Sequence, residues 1–567
     1  MSIETILTEA RTLAAAGKLP AAVAMLQTAL PRYPEHAGIA LLFADLLQAD
    51  GQLQAAVAAY SVALRIGAES ADGWFGAGCA HLALNASGVA AACFGRAVAL
   101  MPRSGPAHYN LGKSLFNLGR IESAVSSFAR AEPLDSQVTD MAQASIACII
   151  PGDPRADHLT VLQARRRWAD NTALGLVPLN ACPVPSTQRK LRVGYLSAFF
   201  GAANWMKPVF ALINRHDRAT FEIYMLSDGE PPSAASGYRD HYLDYICDLR
   251  GVTNERAAGI IADLGMDVLV DLNGYSFQQR LGLLMHRPAP HIVGWFNMFA
   301  TTGVAAVDWL IGDDHVIRRD EEQFYTERIH RLPGTYLAFE ILYDVPDVAP
   351  PPCLASGQIT FGTLGSHYKL TDAVVSAWAR ILLAAPQTKL FIKNASLEDP
   401  SVRNDLLQRF HQLGVSERRM TLQGRSLHFA FLDAYQHIDI ALDTFPYNGG
   451  TTTTEALWQG VPVLTFDGDR WASRTSASLL LAAGLRDWVL PDLAGYVDRA
   501  IALANDVATP AMLLTLRNDM RTRLRSSAAC DADDLCHAME DFYRTIARDS
   551  PESHIAGRMA IESGLDS

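Results

Sequence analysis

Small and large apolar residues recur with a period of 34 along the first 140 residues of the chain. Each period carries, in order, a small residue, a turn former, a large apolar or aromatic residue and an alanine. The four registers are Ala10, Gly17, Leu26 and Ala29; Ala44, Gly51, Tyr60 and Ala63; Gly78, Asn85, Phe94 and Ala97; and Gly112, Gly119, Phe128 and Ala131. A helical hairpin that stacks on copies of itself needs small residues where its helices meet and a bulky residue for its neighbour. The pattern predicts a solenoid of helix pairs.

Beyond residue 189 the pattern changes to short apolar strands that alternate with helices. A first series of strands is predicted at 191–197, 221–228, 266–276, 291–296 and 309–314. After a proline-rich break, a second series is predicted at 359–365, 388–394, 419–424, 439–445 and 462–466. Thr371 is the expected N-cap of the helix that follows the first of these. This alternation indicates two parallel, doubly wound sheets, with ligands in a cleft at the carboxyl ends of their strands.

The resulting division of the chain has five parts. We expect a repeat array, a capping helix with a linker, two α/β halves and a flexible tail. Their bounds are 1–140, 141–188, 189–345, 346–546 and 547–567.

Composition, net charge and the lack of long apolar runs narrow the class of protein and the classes of partner. Of the 567 residues, 49% are hydrophobic and 19% are charged, which excludes a largely disordered chain. The net charge of −12 gives no reason to expect a nucleic acid or an anionic membrane as partner, so an anionic ligand must be bound locally. The beginning of the chain lacks a signal-peptide pattern, and no apolar run reaches 18 residues, so we expect a cytoplasmic protein.

The segment 441–466 carries the strongest chemical signal. A predicted strand runs into a loop with Asn448, Gly449 and Gly450, and a helix begins among the threonines from Thr451. Glycines allow close approach of the backbone, and the unpaired N–H groups of a helix N-terminus suit a diphosphate. Glu455, one turn later, has the chemistry to bind ribose hydroxyls. Without the neighbouring motifs, an ordinary N-capped helix with a threonine-rich start explains this segment as well as a phosphate-binding loop does.

Polar residues after two other strands face the same cleft. Lys369 ends the segment 365–369, where an ammonium can stabilise a leaving diphosphate. From the first half, Asn273, Tyr275 and Ser276 lie at the end of the predicted strand 266–276. A surface lysine and a tight Asn-Gly turn are the simpler interpretations of these residues.

Taken together, these motifs resemble the O-linked N-acetylglucosamine transferase family and its bacterial members. The repeats resemble tetratricopeptide repeats, most clearly at 105–131, and the glycine loop 443–466 is the most specific match. The resemblance implies an all-α tetratricopeptide solenoid followed by a GT-B fold, in which 189–345 is the acceptor side and 346–546 the nucleotide-sugar side. It further implies inverting, metal-independent transfer of a sugar to a Ser or Thr hydroxyl of a protein, with no cofactor besides the nucleotide sugar.

The resemblance also assigns roles to residues. Lys369 corresponds to the family's diphosphate-stabilising lysine, and Asn273, Tyr275 and Ala203 fall on the acceptor and sugar side. The remaining matched positions belong to the donor side. They are Ser366, Asn448, Gly449, Gly450, Thr451, Thr452, Glu455 and Arg474. His428 is also expected on the donor side, at a position where animal members have a lysine near the nucleotide.

Several positions depart from the family pattern. Ala203 stands where the family has a histidine that has been proposed as a base, and Phe431 replaces a nucleotide-contacting histidine. Lys207, His216 and His367 are near these motifs in sequence and are candidates for the base, but residues of these kinds are more often structural. A donor phosphate oxygen is the other candidate, and the base stays unassigned.

Three functions therefore remain open. The first is a protein O-glycosyltransferase whose array recruits the acceptor; its donor is UDP-N-acetylglucosamine or, as a variant, a CMP-linked nonulosonic acid destined for flagellin. The second is a glycosyltransferase for a non-protein acceptor. The third, suggested by Ala203, is a catalytically silent scaffold.

Overall fold

The computed structural model describes residues 1–67, 70–179 and 189–548 of the 567. The expected tail from 549 and the end of the linker, 180–188, lie outside the described residues. Helix lengths and hydropathy in the described ranges leave no candidate for a membrane-spanning segment.

Ten helices build the N-terminal solenoid and its cap. Four antiparallel pairs come first, followed by two helices that join them to the rest of the chain. They are α1 (Ile3–Ala15), α2 (Leu19–Ala29), α3 (Ala37–Ala49), α4 (Leu53–Ile66), α5 (Ala71–Ala83), α6 (Ser87–Leu100), α7 (Gly105–Asn117), α8 (Ile121–Ala131), α9 (Ser136–Ile149) and α10 (His158–Ala173).

The period of 34 is explained by contacts within each pair. The four turn formers all adopt a positive φ, between 59° and 79°, in the left-handed region that favours glycine or asparagine. A Cβ on Gly78 would lie 2.7 Å from the ring of Phe94, and one on Gly112 would lie 2.7 Å from the ring of Phe128. The small residue is therefore required because the bulky residue of the partner helix packs directly on it. The predicted helical-repeat fold is confirmed.

The first α/β half holds seven parallel strands in the order β3-β2-β1-β4-β5-β6-β7. Its elements are β1 (Leu191–Ser197), α11 (Lys207–Ile213), β2 (Phe221–Ser227), β3 (Tyr245–Asp248), α12 (Asn254–Leu264), β4 (Val268–Asp271), α13 (Leu281–Leu284), β5 (His291–Gly294), β6 (Trp309–Gly312) and β7 (Arg328–Arg331). Sequence reasoning missed the edge strands β3 and β7, since exposed and half-buried residues interrupt their apolar pattern.

The second half holds six parallel strands in the order β10-β9-β8-β11-β12-β13. Its elements are α14 (Cys353–Ser356), β8 (Thr360–Thr363), α15 (Asp372–Ala384), β9 (Lys389–Lys393), α16 (Pro400–Gln412), β10 (Met420–Gln423), α17 (His428–Asp433), β11 (Ile440–Leu442), α18 (Thr451–Trp458), β12 (Val463–Phe466), α19 (Thr475–Ala482), β13 (Val489–Leu490), α20 (Leu493–Asn505), α21 (Thr509–Arg525) and α22 (Ala532–Ile546). Thr371 caps α15 as expected, accepting from the N–H of Val374. Two doubly wound parallel sheets are confirmed.

The last helix packs on the other half. Sequence reasoning placed residues up to 546 with the second half, but the apolar face of α22 enters the core of the first, with Met539 and Tyr543 fully buried there. His216 fixes this contact, because its Nδ1 lies 3.0 Å from Glu540 of α22 and its Nε2 lies 2.6 Å from the Tyr195 hydroxyl. The chain thus returns to the first half after the second and ties the two halves together.

Candidate active site

Strand order places the candidate site. β1 lies between β2 and β4, and β8 lies between β9 and β11, so each sheet reverses its winding direction at its first strand. Crevices for ligands open at the carboxyl ends of strands at such reversals. The Lys369 turn follows β8 and the glycine loop follows β11, so both lie at the reversal of the second sheet.

A cleft of about 450 Å³ lies between the halves at this point. Six of the residues proposed from sequence for the donor and catalytic roles line it: Ser366, Lys369, Gly450, Thr451, Thr452 and Glu455. The wall from the first half contains Asn204, Trp205, Ser276, Phe296, Asn297, Phe299 and Leu337.

Lys369 is held directly at the glycine loop. Its ammonium donates to the carbonyl oxygen of Asn448 at 2.8 Å and lies 4.3 Å from the centre of the Tyr447 ring. Burial lowers the pKa of Lys369 to about 8, against a smaller opposing effect of the Asp443 carboxylate. The ammonium is therefore mostly protonated at neutral pH and lies where a diphosphate at the helix N-terminus would meet it.

The glycine loop is organised by a carboxylate that sequence reasoning did not assign. Asp443 Oδ1 accepts from the N–H groups of Gly449 and Thr444, and its Oδ2 accepts from the Thr465 hydroxyl at 2.7 Å. A Cβ on Gly449 would lie 2.3 Å from the Thr453 hydroxyl oxygen, so only glycine fits there. Asp443 belongs to the quoted motif, but its role is visible only once the loop is folded around it.

Gly450 leads into α18 without a side-chain cap. The first N–H groups of a helix have no acceptor within the helix, and here they open on a cleft that Thr451 and Thr452 line. Asn448 is buried, and its side-chain amide has no hydrogen-bond partner among the described residues, although it does not line the cleft itself. The part of the cleft wall that the uncapped N-terminus of α18 forms has the polarity that suits an anion.

Glu455 joins the two halves beneath the cleft. Its Oε1 accepts from the ammonium of Lys207 at 3.3 Å, and His428 lies 3.6 Å from the same oxygen. Its Oε2 has no partner within the described chain, so one oxygen stays available to a ligand hydroxyl. Burial raises the pKa of the Glu455 carboxyl, and Lys207 opposes that rise. His428 stands behind the cleft wall, where burial lowers its pKa to about 4.

Arg474 occupies a different position from the one its motif suggests. Its side chain is fully buried and donates to Glu321 of the first half at 2.5 Å, and Glu321 also lies 3.5 Å from His158 of α10. It is absent from the described lining of the cleft. Arg474 therefore joins the second half to the first half and, through Glu321, to the cap. The position of Arg474 in the sequence does not reveal this direction of its side chain.

The described lining of the cleft includes none of the three residues expected on the acceptor side. Asn273 is fully buried, and its Oδ1 accepts from the N–H of Ala198 at 2.8 Å, which fixes the loop after β1. Tyr275 donates to the carbonyl of Thr302 at 2.7 Å under the guanidinium of Arg165. Ala203 is half-buried, while the next residue, Asn204, reaches the cleft. In these loops the side chains that line the cleft are those of Asn204 and Ser276, each next to a residue expected from the sequence.

A second cavity, of about 160 Å³, adjoins the cleft. It is lined by Phe116 and Ile121 of the array and by Tyr275, and it shares Lys369 and Tyr447 with the cleft. The Phe116 and Tyr368 rings stack across this junction at a centroid distance of 5.2 Å. The end of the array is thus next to the lysine.

A helical repeat array joined to two such sheets, with a cleft between them, defines a tetratricopeptide-bearing protein of the GT-B class. Comparison with known families agrees: the model of glycosyl transferase family 41 matches residues 180–342 and 353–539, and a tetratricopeptide repeat model matches 7–71 and 75–138. The chain belongs to glycosyl transferase family 41. The resemblance to O-linked N-acetylglucosamine transferases is confirmed.

Individual relatives support this placement. A protein of Petunia hybrida named as a probable UDP-N-acetylglucosamine–peptide N-acetylglucosaminyltransferase, SPINDLY, is 32% identical over 366 residues, which are 64% of this chain and 39% of that protein. The Caenorhabditis elegans enzyme named for the same activity is 22% identical over 516 residues, covering 69% and 44%. The chain thus spans about two fifths of the length of the curated relatives it matches.

Among solved structures, an O-GlcNAc transferase mutant from Thermobaculum terrenum superposes with a TM-score of 0.74. It is 32% identical and covers 91% of this chain and 98% of its own. Array and both α/β halves therefore occur together in a single solved relative.

Proposed function

We propose that the chain transfers a sugar from a nucleotide diphosphate to a Ser or Thr hydroxyl of a protein, with inversion and without a metal ion. The observation that carries the proposal is the position of Lys369 Nζ, 2.8 Å from the carbonyl oxygen of Asn448 in the glycine loop that leads into α18. One ammonium and one helix N-terminus meet on the same wall of the cleft, where negative charge would develop on a leaving diphosphate. Of the described cleft lining, Glu455 is the one carboxylate, and it is paired with Lys207.

In the reaction, the acceptor oxygen bonds to the anomeric carbon as the bond to the diphosphate oxygen breaks on the opposite face. The diphosphate leaves with the electron pair, and the acceptor proton must go to a base. His216 is buried under α22, and Lys207 is bound to Glu455. His367 lines the cleft, but burial lowers its pKa to about 3, which makes it a weak base. These positions favour a donor phosphate oxygen as the proton acceptor.

UDP-N-acetylglucosamine is the donor we propose, because the relatives from Petunia hybrida and Caenorhabditis elegans are named for it. A donor screen with intact-protein mass as the readout tests this. Incubation of purified protein and cell lysate proteins with UDP-N-acetylglucosamine should add the mass of one N-acetylhexosamine per site. Mass added only from a CMP-linked sugar would instead support the nonulosonic acid variant, with flagellin as the expected acceptor.

A protein acceptor is supported by the position of the array. Its last repeats line the cavity that shares Lys369 with the cleft, so a polypeptide held by the array has a short route to the reacting centre. Donor hydrolysis without a mass change on any protein would favour a non-protein acceptor. If neither UDP nor CMP raised the melting temperature, the scaffold interpretation would stand.

Lys369→Met tests the role of the ammonium. It should lose activity by about 10²- to 10³-fold, the usual cost of removing one group that stabilises a developing negative charge. Lys389→Met, an exposed lysine of the same half, is the matched control and should keep full activity.

A further inference from the structure

Asn394 is a residue of the cleft wall whose buried side-chain amide has no hydrogen-bond partner among the described residues. It directly follows β9, and only 6% of the residue is exposed. Neither its Nδ2 nor its Oδ1 has a hydrogen-bond partner within the described chain, although both atoms are buried. Buried side-chain amides are almost always paired, because an unmatched donor and acceptor are costly. An unmatched pair on the wall of a ligand cleft therefore points to a ligand.

The backbone of Asn394 is fixed. Its N–H donates to the carbonyl of Gln423 at 3.2 Å, and its carbonyl accepts from the N–H of Leu397 at 3.2 Å. Neighbouring residues Ala395 and Ser396 line the cleft with it, and Phe431 adds an aromatic face to the same cavity. The site is thus a rigid edge with one donor and one acceptor beside a ring.

Sheet order determines which part of a ligand would reach Asn394. The glycine loop follows β11, Lys369 follows β8 and Asn394 follows β9, three neighbouring strands of one sheet. Asn394 is therefore about 10 Å from the glycine loop at the usual spacing of strands, with the Lys369 turn between them. With the diphosphate at the loop and the lysine, a nucleoside that extends along the second half toward β9 brings its base to Asn394.

We propose that the carboxamide of Asn394 recognises the hydrogen-bonding edge of the donor nucleobase, with Phe431 covering its face. This inference rests on the proposed function. For uracil, the amide oxygen accepts from N3–H and the amide nitrogen donates to a neighbouring carbonyl oxygen. An aspartate in the same place has two acceptors and loses the second bond. It would instead match guanine, whose N1–H and N2–H groups are both donors.

The test compares nucleotide and base-free ligands on the full chain by titration calorimetry. Asn394→Ala should weaken UDP binding about tenfold or more, the usual net value of such hydrogen bonds, and leave inorganic pyrophosphate binding unchanged. Asn394→Asp, which keeps the shape of the side chain, should weaken UDP and narrow or reverse the preference of UDP over GDP. Asn505→Ala, an exposed asparagine of the same half, is the matched control.

Each outcome of the calorimetry supports or overturns the assignment of Asn394 to the nucleobase. Unchanged UDP affinity in Asn394→Ala overturns the assignment, and so does a parallel loss of UDP and pyrophosphate, since that loss is not specific to the base. Pyrophosphate binding by the variants shows that their clefts are folded. A wild-type protein that binds neither UDP nor pyrophosphate would instead overturn the proposed function itself.

Discussion

The protonation of Lys369 sets an upper pH limit on the proposed reaction. Leaving-group stabilisation needs the ammonium form, and burial lowers the pKa of Lys369 to about 8. At pH 9, one unit higher, roughly one lysine in eleven is still charged, so kcat/KM should be about tenfold below its plateau. At pH 7 roughly nine in ten are charged, and the rate should be close to the plateau.

The alkaline limb should lie at a different pH in the profile of kcat/KM than in the profile of kcat. kcat/KM reports the free enzyme, so its alkaline limb should lie at about pH 8. A bound diphosphate places negative charge beside the ammonium and raises its pKa, so the limb in kcat should lie higher. Initial rates with UDP-N-acetylglucosamine and a protein acceptor, measured from about pH 6 to about pH 9.5, would give both profiles. Lys369→Arg keeps its charge throughout and should lack the limb, at a lower plateau.

The thermal stability of the protein provides an independent measure of the protonation of Lys369. A folded pKa below the ordinary 10.5 means that folding disfavours the ammonium, so this cost is present at neutral pH and disappears as the pH rises from about 8 to 10.5. Lys369→Met should therefore melt higher than wild type at pH 7 while losing activity. A kcat/KM profile that stays flat to about pH 9.5 in folded wild-type protein would refute the reasoning.

Other predictions follow from single contacts. Gly119→Ala should lower both activity and melting temperature by much more than Gly17→Ala. Both glycines have positive φ, but of the two only Gly119 would place an added Cβ within 3.0 Å of backbone oxygens. Equal effects of the two substitutions in circular-dichroism melts would contradict this prediction. Lys207→Met alone should destabilise the fold by about 3–5 kcal/mol in urea unfolding by leaving Glu455 unpaired in the interior, and the double variant with Glu455→Gln should recover most of that loss. Arg474→Leu should reduce stability and leave UDP affinity unchanged in calorimetry; a weakened UDP affinity in folded protein would return Arg474 to the donor site.

The parts of this molecule that local pattern determines were predictable. The turn residues of the array, exemplified by Asn85, and the cap Thr371 depend on their own backbone conformation, which sequence reports directly. The positions of Lys369 and the glycine loop were also accessible, since strand ends of a parallel sheet meet at one edge. The direction in which each side chain points could not be predicted from the sequence. Asn273 points inward, and nothing in its motif distinguishes that direction from one into the cleft.

Contacts between segments distant in the chain were equally inaccessible. The helix at 532–546 follows the second half in sequence, yet its strongly one-sided apolar face is buried in the first. Asn394 carries no motif at all, and only the burial of its amide beside the cleft singles it out. Such sites depend on which groups are left unmatched after folding.

The array is also part of the lysine's support. Its helices dock on α16, where Asp399 and Ser401 accept from the N–H groups of Ser87 and Gly88 at the start of α6. At the turn between α7 and α8, a Cβ on Gly119 would lie 2.9 Å from the carbonyl oxygen of His367, two residues before Lys369.

Deleting residues 1–140 would therefore remove the wall behind the lysine as well as any groove for the acceptor. Loss of all activity in that deletion would not distinguish recruitment from catalysis. Substitutions in the groove of the first repeats, which is lined by Phe43 and Leu47 far along the array from Lys369, separate the two. If the array recruits the acceptor, Phe43→Ala should raise the KM for a protein acceptor and leave donor hydrolysis unchanged. If it only supports the lysine, neither parameter should change.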